Sequence, residues 1–84
     1  MYIQFYDRGT PQGKKFFSRL EETCTRLQLE DRPEYITDMY RVINQGIQAK
    51  SVLMIDNQPV FVDKFPSQSE LEAILTESQG QKAW

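Results

Sequence analysis

The chain has 84 residues, 12 acidic against 10 basic side chains for a net charge of −2, one cysteine and no histidine. That length gives one domain with a small core, and the acidic balance speaks against a nucleic-acid binder, which carries a basic face. A single cysteine excludes an internal disulfide. The missing histidine removes the commonest general base and with it any Ser/His or Cys/His pair, and a zinc site would need carboxylates plus one thiol, so neither a metal nor a cofactor is expected. Hydrophobic residues at 39% and charged residues at 26% fit a globular chain. No apolar run approaches the roughly 18 residues of a membrane span, and Met1-Tyr2-Ile3-Gln4 carries no basic segment of a secretory signal. The expectation is a cytoplasmic protein with neither nucleic acid nor membrane as partner.

Ile3 and Phe5, among Tyr2, Gln4 and Tyr6, read as a buried first strand ending near Asp7. Thr10 is placed to cap a helix, and Pro11 suits its first position, where the missing N–H costs nothing. Phe16, Phe17, Leu20, Cys24 and Leu27 recur at spacings of one, three and four and form one face of a helix reaching about Leu29; Arg19, Glu21, Glu22 and Arg26 take the wet side. Glu30 to Pro33 is a turn, and Pro33-Glu34-Tyr35-Ile36 a short second strand. Asp38 is placed to cap a short helix carrying Met39, Val42 and Ile43, with Gly46 as its stop.

Val52-Leu53-Met54-Ile55 is the continuous apolar run of a strand buried on both faces. Asp56-Asn57-Gln58-Pro59 makes a tight hairpin turn with Asn57 suited to positive φ, and Val60-Phe61-Val62 returns beside a sheet edge marked by Pro59 and Asp63. Ser67-Gln68-Ser69-Glu70 matches a capping box ahead of the apolar stripe Leu71, Ile74, Leu75. The order is β-α-β-α-β-β-α: an α/β fold with a mixed four-stranded sheet, helices on both faces, and a right-handed first crossover between parallel strands. The domain spans residues 1–78, and 79–84, ending in Trp84, is expected to be a flexible tail.

Several phrases in this order resemble the minimal thioredoxin/glutaredoxin-like family, in particular the small redox-active-disulfide thioredoxins. Tyr2-Ile3-Gln4-Phe5-Tyr6 is similar to the family's first strand, and Thr10-Pro11-Gln12-Gly13-Lys14-Lys15 to its Cys-Pro-x-Cys-Lys-Lys helix opening. Gly46-Ile47 resembles the Gly-Val step before its third strand, Leu53-Met54-Ile55-Asp56-Asn57 its Leu-Val-Ile-Asp-Gly hairpin, and Phe65-Pro66-Ser67 its approach to the last helix. The resemblance runs over about residues 2 to 76 and implies a thioredoxin-like fold. Its departures fall on the chemistry. Thr10 and Gly13 stand at the two cysteine positions, and thiol–disulfide exchange needs a thiolate. Ser51, after Lys50, stands at the family's cis-proline, and without proline that bond should be trans.

The implied function is a redox-inactive thioredoxin-like module that binds a protein partner or serves as a subunit, through the edge Val60–Val62 or the surface around Thr10 and Ser51. The alternative is a glutathione-like or anionic small-ligand site at the helix N-terminus, built from Thr10, Gly13, Lys14, Lys15, Lys50 and Ser51. Beside these stand plainer readings. Thr10 is a helix cap, and Arg8, Lys14, Lys15 and Lys50 are a solvated rim partly neutralised by Asp7. Cys24 is a core residue rather than a redox sensor. Tyr2 and Tyr6, on one strand face, pack under a helix rather than marking a binding surface with Tyr35 and Tyr40.

Overall fold

Every residue of β1 (Ile3–Asp7) and β3 (Ser51–Ile55) is buried. These two strands pair antiparallel at the centre of one sheet, with Ile3 opposite Ile55 and Asp7 opposite Ser51. A three-residue β2 (Glu34–Ile36) lies parallel to β1 on one side, and β4 (Gln58–Val62) lies antiparallel to β3 on the other. The strand order is β2-β1-β3-β4. Three helices, α1 (Pro11–Arg26), α2 (Tyr40–Asn44) and α3 (Gln68–Gln81), complete the order expected from the sequence. The computed structural model describes residues 1–81.

The alternation of side chains along a strand divides the core in two. On one face Ile3, Phe5, Leu53 and Ile55 meet Phe16, Leu20 and Cys24 of α1 and Leu71 and Leu75 of α3. On the other, Tyr6, Val52 and Met54 meet Met39 and Val42 at α2. The α/β class, the mixed four-stranded sheet and the placement of helices on both faces are therefore as the apolar runs require. Cys24 lies in the first of these clusters as a core residue.

Local chemistry accounts for the joints. Asp56 and Asn57 have φ of 52° and 65°, so both hairpin residues are left-handed, the pairing that matches strand twist. Ser67 N donates to Glu70 Oε1 at 3.0 Å and Glu70 N donates to Ser67 Oγ at 3.2 Å, a reciprocal capping box. Arg19 Nη2 donates to Pro66 O at 2.6 Å, and Gln68 Nε2 to Thr23 Oγ1 at 2.9 Å, which ties the start of α3 to α1.

Several boundaries differ from the sequence reading. α1 ends at Arg26 rather than near Leu29, because Gln28 turns left-handed at φ 58° and lets Leu29 N reach back to Cys24 O. Met39, not Asp38, flanks α2, although Asp38 Oδ1 accepts from Tyr40 N at 3.0 Å. β4 starts at Gln58 and contains Pro59, where the register with β3 shifts between Leu53 and Met54; an edge position tolerates the missing donor. α3 continues to Gln81, three residues into the expected tail. Residues 82–84, with Trp84, lie outside the described residues.

Candidate functional site

The end of β1, the start of α1 and the approach to β3 enclose a cleft of about 340 Å³ lined by Asp7, Thr10, Gln12, Lys50, Ser51, Asp63 and Phe65. Thr10, at the first of the two positions where the resemblance expects a cysteine, lines it. Thr10 is extended, with φ −71° and ψ 152°, and its Oγ1 accepts from Gly13 N at 3.0 Å, so it caps α1. The same hydroxyl lies 3.0 Å from Asp7 Oδ1 and donates into that carboxylate.

Asp7 organises this corner. It is 1% exposed. Its Oδ2 accepts from Gly9 N at 3.0 Å, from Thr10 N at 2.8 Å and from the Tyr35 hydroxyl at 2.8 Å. A buried carboxylate must have such donors, because stripping its water is otherwise prohibitive. Gly9, at φ 91°, makes the turn that brings two of them inward. Tyr35 is held by rings: it stacks on Phe5 with centroids 6.0 Å apart and tilts against Phe17 at 5.2 Å. Burial, then its hydrogen bond and proximity to Asp7, push the Tyr35 hydroxyl up to about 12.

Gly13 completes the packing. A Cβ at this position would overlap the Asp7 carboxylate. The residue that the resemblance treats as a lost cysteine is therefore a glycine with a steric reason of its own.

A second carboxylate closes the opposite wall. Asp63, at φ 53°, accepts at Oδ1 from Lys50 N at 2.6 Å and from Ser51 N at 3.2 Å, while its own N–H donates to Ser51 O at 2.8 Å. The Lys50–Ser51 bond is trans, as expected without proline. The backbone donors on both walls thus point at carboxylates of the chain itself.

The structure brings together three of the six residues singled out, Thr10, Lys50 and Ser51. Gly13 is buried behind them against Asp7. Lys14 is exposed on α1. Lys15 lines an adjoining cleft of about 290 Å³ with Gln12, Phe16, Arg19 and Phe65. Asp7, expected from the sequence to neutralise part of this basic rim, lies beneath it as a buried acceptor. The signal available was Asp7-Arg8-Gly9-Thr10, an aspartate placed to bond backbone two and three residues on. Asp63 and Tyr35 had no such signal, since their partners are distant in sequence.

Among the described residues no group of three or more metal-ligating side chains clusters, and no helix is long and apolar enough to cross a membrane. No family model, curated protein or solved structure matches the chain.

Proposed function

We propose that the chain is a redox-inactive thioredoxin-like module that binds a protein partner. The observation that carries this reading is the Asp7–Thr10–Gly13 arrangement: at the helix start where exchange chemistry would need a thiolate, a hydroxyl and a carboxylate satisfy one another and a glycine leaves no side chain to react. The sheet order, with its parallel β1–β2 pair flanked by α1, is compatible with the fold that the sequence phrases imply. Apolar surface supports a protein as the occupant. Val62 at the end of edge strand β4 is 44% exposed, and Phe65 beside the cleft is 38% exposed. An extended partner segment can add to such an edge through its main chain.

Immobilised protein is expected to retain a specific partner from source cells, and Val62→Glu, at the more exposed of the two positions, to lose it while keeping the melting temperature. Turnover by the pure protein in an insulin-reduction or glutathione-disulfide assay would defeat the reading.

A second reading, a glutathione-like or anionic small ligand at Thr10–Lys15, draws on the cleft where Lys15 and Arg19 approach Phe16 and Phe65. It expects stabilisation by millimolar glutathione or phosphate, lost in Lys15→Glu. An unmoved melting temperature across that panel would remove it.

A further inference from the structure

On the α2 face, Gln4 and Tyr6 of β1 follow Tyr2, which stands just before the strand, at two-residue spacing. With only five residues, α2 covers Tyr6 and leaves Tyr2 40% exposed. The sequence reading put both rings under a helix; the shortness of α2 overturns it for Tyr2. The uncovered strip forms a groove of about 330 Å³, bounded by Glu34 on β2 and by Asp38, Tyr40 and Arg41 where α2 begins. Gln4 forms its floor. It is 2% exposed, its Nε2 donates to the Tyr2 hydroxyl at 2.8 Å, and its Oε1 has no hydrogen-bond partner. A buried acceptor without a donor is destabilising, and an apolar side chain would fill the same space without that penalty.

We propose that this groove receives the guanidinium of an arginine presented by a partner protein, with Gln4 Oε1 as its buried acceptor. Four features fit that group together. The acceptor on the floor calls for a donor. Glu34 and Asp38 outweigh Arg41 in charge. The Tyr2 and Tyr40 rings border the groove, and a guanidinium stacks on such faces. An ammonium answers the charge but offers no plane to stack and is more strongly hydrated. The fourth feature is β2, which ends the sheet beside the groove, so an extended segment laid along it turns alternate side chains onto this face. The proposal rests on the protein-partner reading for the source of the arginine, and it uses a surface separate from Val62 and Phe65.

The test is an NMR titration of isotope-labelled protein with N-acetyl-arginine amide, set beside its lysine, citrulline and aspartate counterparts. Arginine is expected to move the Gln4 side-chain amide and the Glu34 and Tyr40 resonances, and neutral citrulline to bind at least about fivefold more weakly. Gln4→Leu should weaken arginine binding about tenfold while melting at the same or a higher temperature, a combination that a purely structural glutamine would not produce. Glu34→Gln should weaken it about threefold. Resonances unmoved by millimolar arginine, an equal or larger response to citrulline, lysine or aspartate, or wild-type binding by a folded Gln4→Leu would each overturn the proposal. Because the probe is a blocked amino acid, its failure would leave partner capture through Val62 and Phe65 standing, and loss of that capture would leave the titration unaffected.

Discussion

Gly13 and Asp7 compete for one volume. The carboxylate occupies the place where any side chain on Gly13 would begin, so a glycine inside a helix, ordinarily a cost of about 1 kcal/mol against alanine, is here the residue that fits. Gly13→Ala is therefore expected to destabilise by about 1–3 kcal/mol, the usual range for overpacking, in spite of alanine's higher helix propensity. In an Asp7→Ala background the same substitution should be neutral or stabilising. Urea unfolding of the four proteins of this cycle gives the coupling, which should exceed about 1 kcal/mol. Additive effects would mean that the two residues do not share the space.

Tyr35 should make stability fall at high pH. Its folded-state value is raised from 10.0 to about 12 by burial and by Asp7, so the folded state holds this proton more tightly than the unfolded state. The contribution is complete below pH 10 and is lost as pH climbs through about 12. Ultraviolet titration should show a tyrosine ionising near 12, and Tyr35→Phe should remove that step and flatten the decline. A late step that persists in Tyr35→Phe would assign it elsewhere.

Cys24 should be inert in the native protein. It is buried, and burial is the largest cause raising its thiol value, so the reactive thiolate is both scarce and shielded. Ellman's reagent at mild alkaline pH is expected to label it only at the rate of global opening, with denaturant accelerating the reaction. Prompt labelling of the folded protein would restore the redox-sensor reading.

The start of α3 supplies a test at the acidic end. Hydrogen bonds from Ser67 N–H and its hydroxyl, followed by the charge of Lys64, hold Glu70 below its ordinary 4.5. A lowered carboxyl stabilises the fold above that value and ceases to do so as pH falls below it. Ser67→Ala should cost about 0.5–2 kcal/mol at neutral pH, and Glu70→Gln should remove part of the acid sensitivity below pH 4.5. Denaturation curves at neutral and acidic pH measure both. Unchanged curves would show that the capping box contributes nothing.

What the sequence disclosed was the local part of this structure. The Thr10 cap, the Asp56-Asn57 turn and the Ser67–Glu70 box each bind residues no more than three positions apart, and the apolar run Val52–Ile55 announces a central strand by its composition alone. The site depends on longer connections. Asp63 reaches Lys50 across 13 positions and Tyr35 reaches Asp7 across 28, distances over which no spacing rule operates. Tyr2 and Tyr6 show the same limit from another side. Their periodicity is identical, yet the length of α2 buries one and exposes the other. Gly13 read as an absence, a cysteine removed, when its cause was the neighbour that fills its place.

Insulin reduction with wild-type protein and with Asp7→Ala/Thr10→Cys/Gly13→Cys probes the proposed redox-type scaffold without its sulfur chemistry. Removing the carboxylate makes room at Gly13, and the two new thiols stand one helical turn apart at the start of α1. Wild type should be indistinguishable from buffer, and the triple variant should form an internal disulfide and catalyse the reduction. Turnover by wild type, or a folded triple variant that neither closes the disulfide nor reduces insulin, would contradict it.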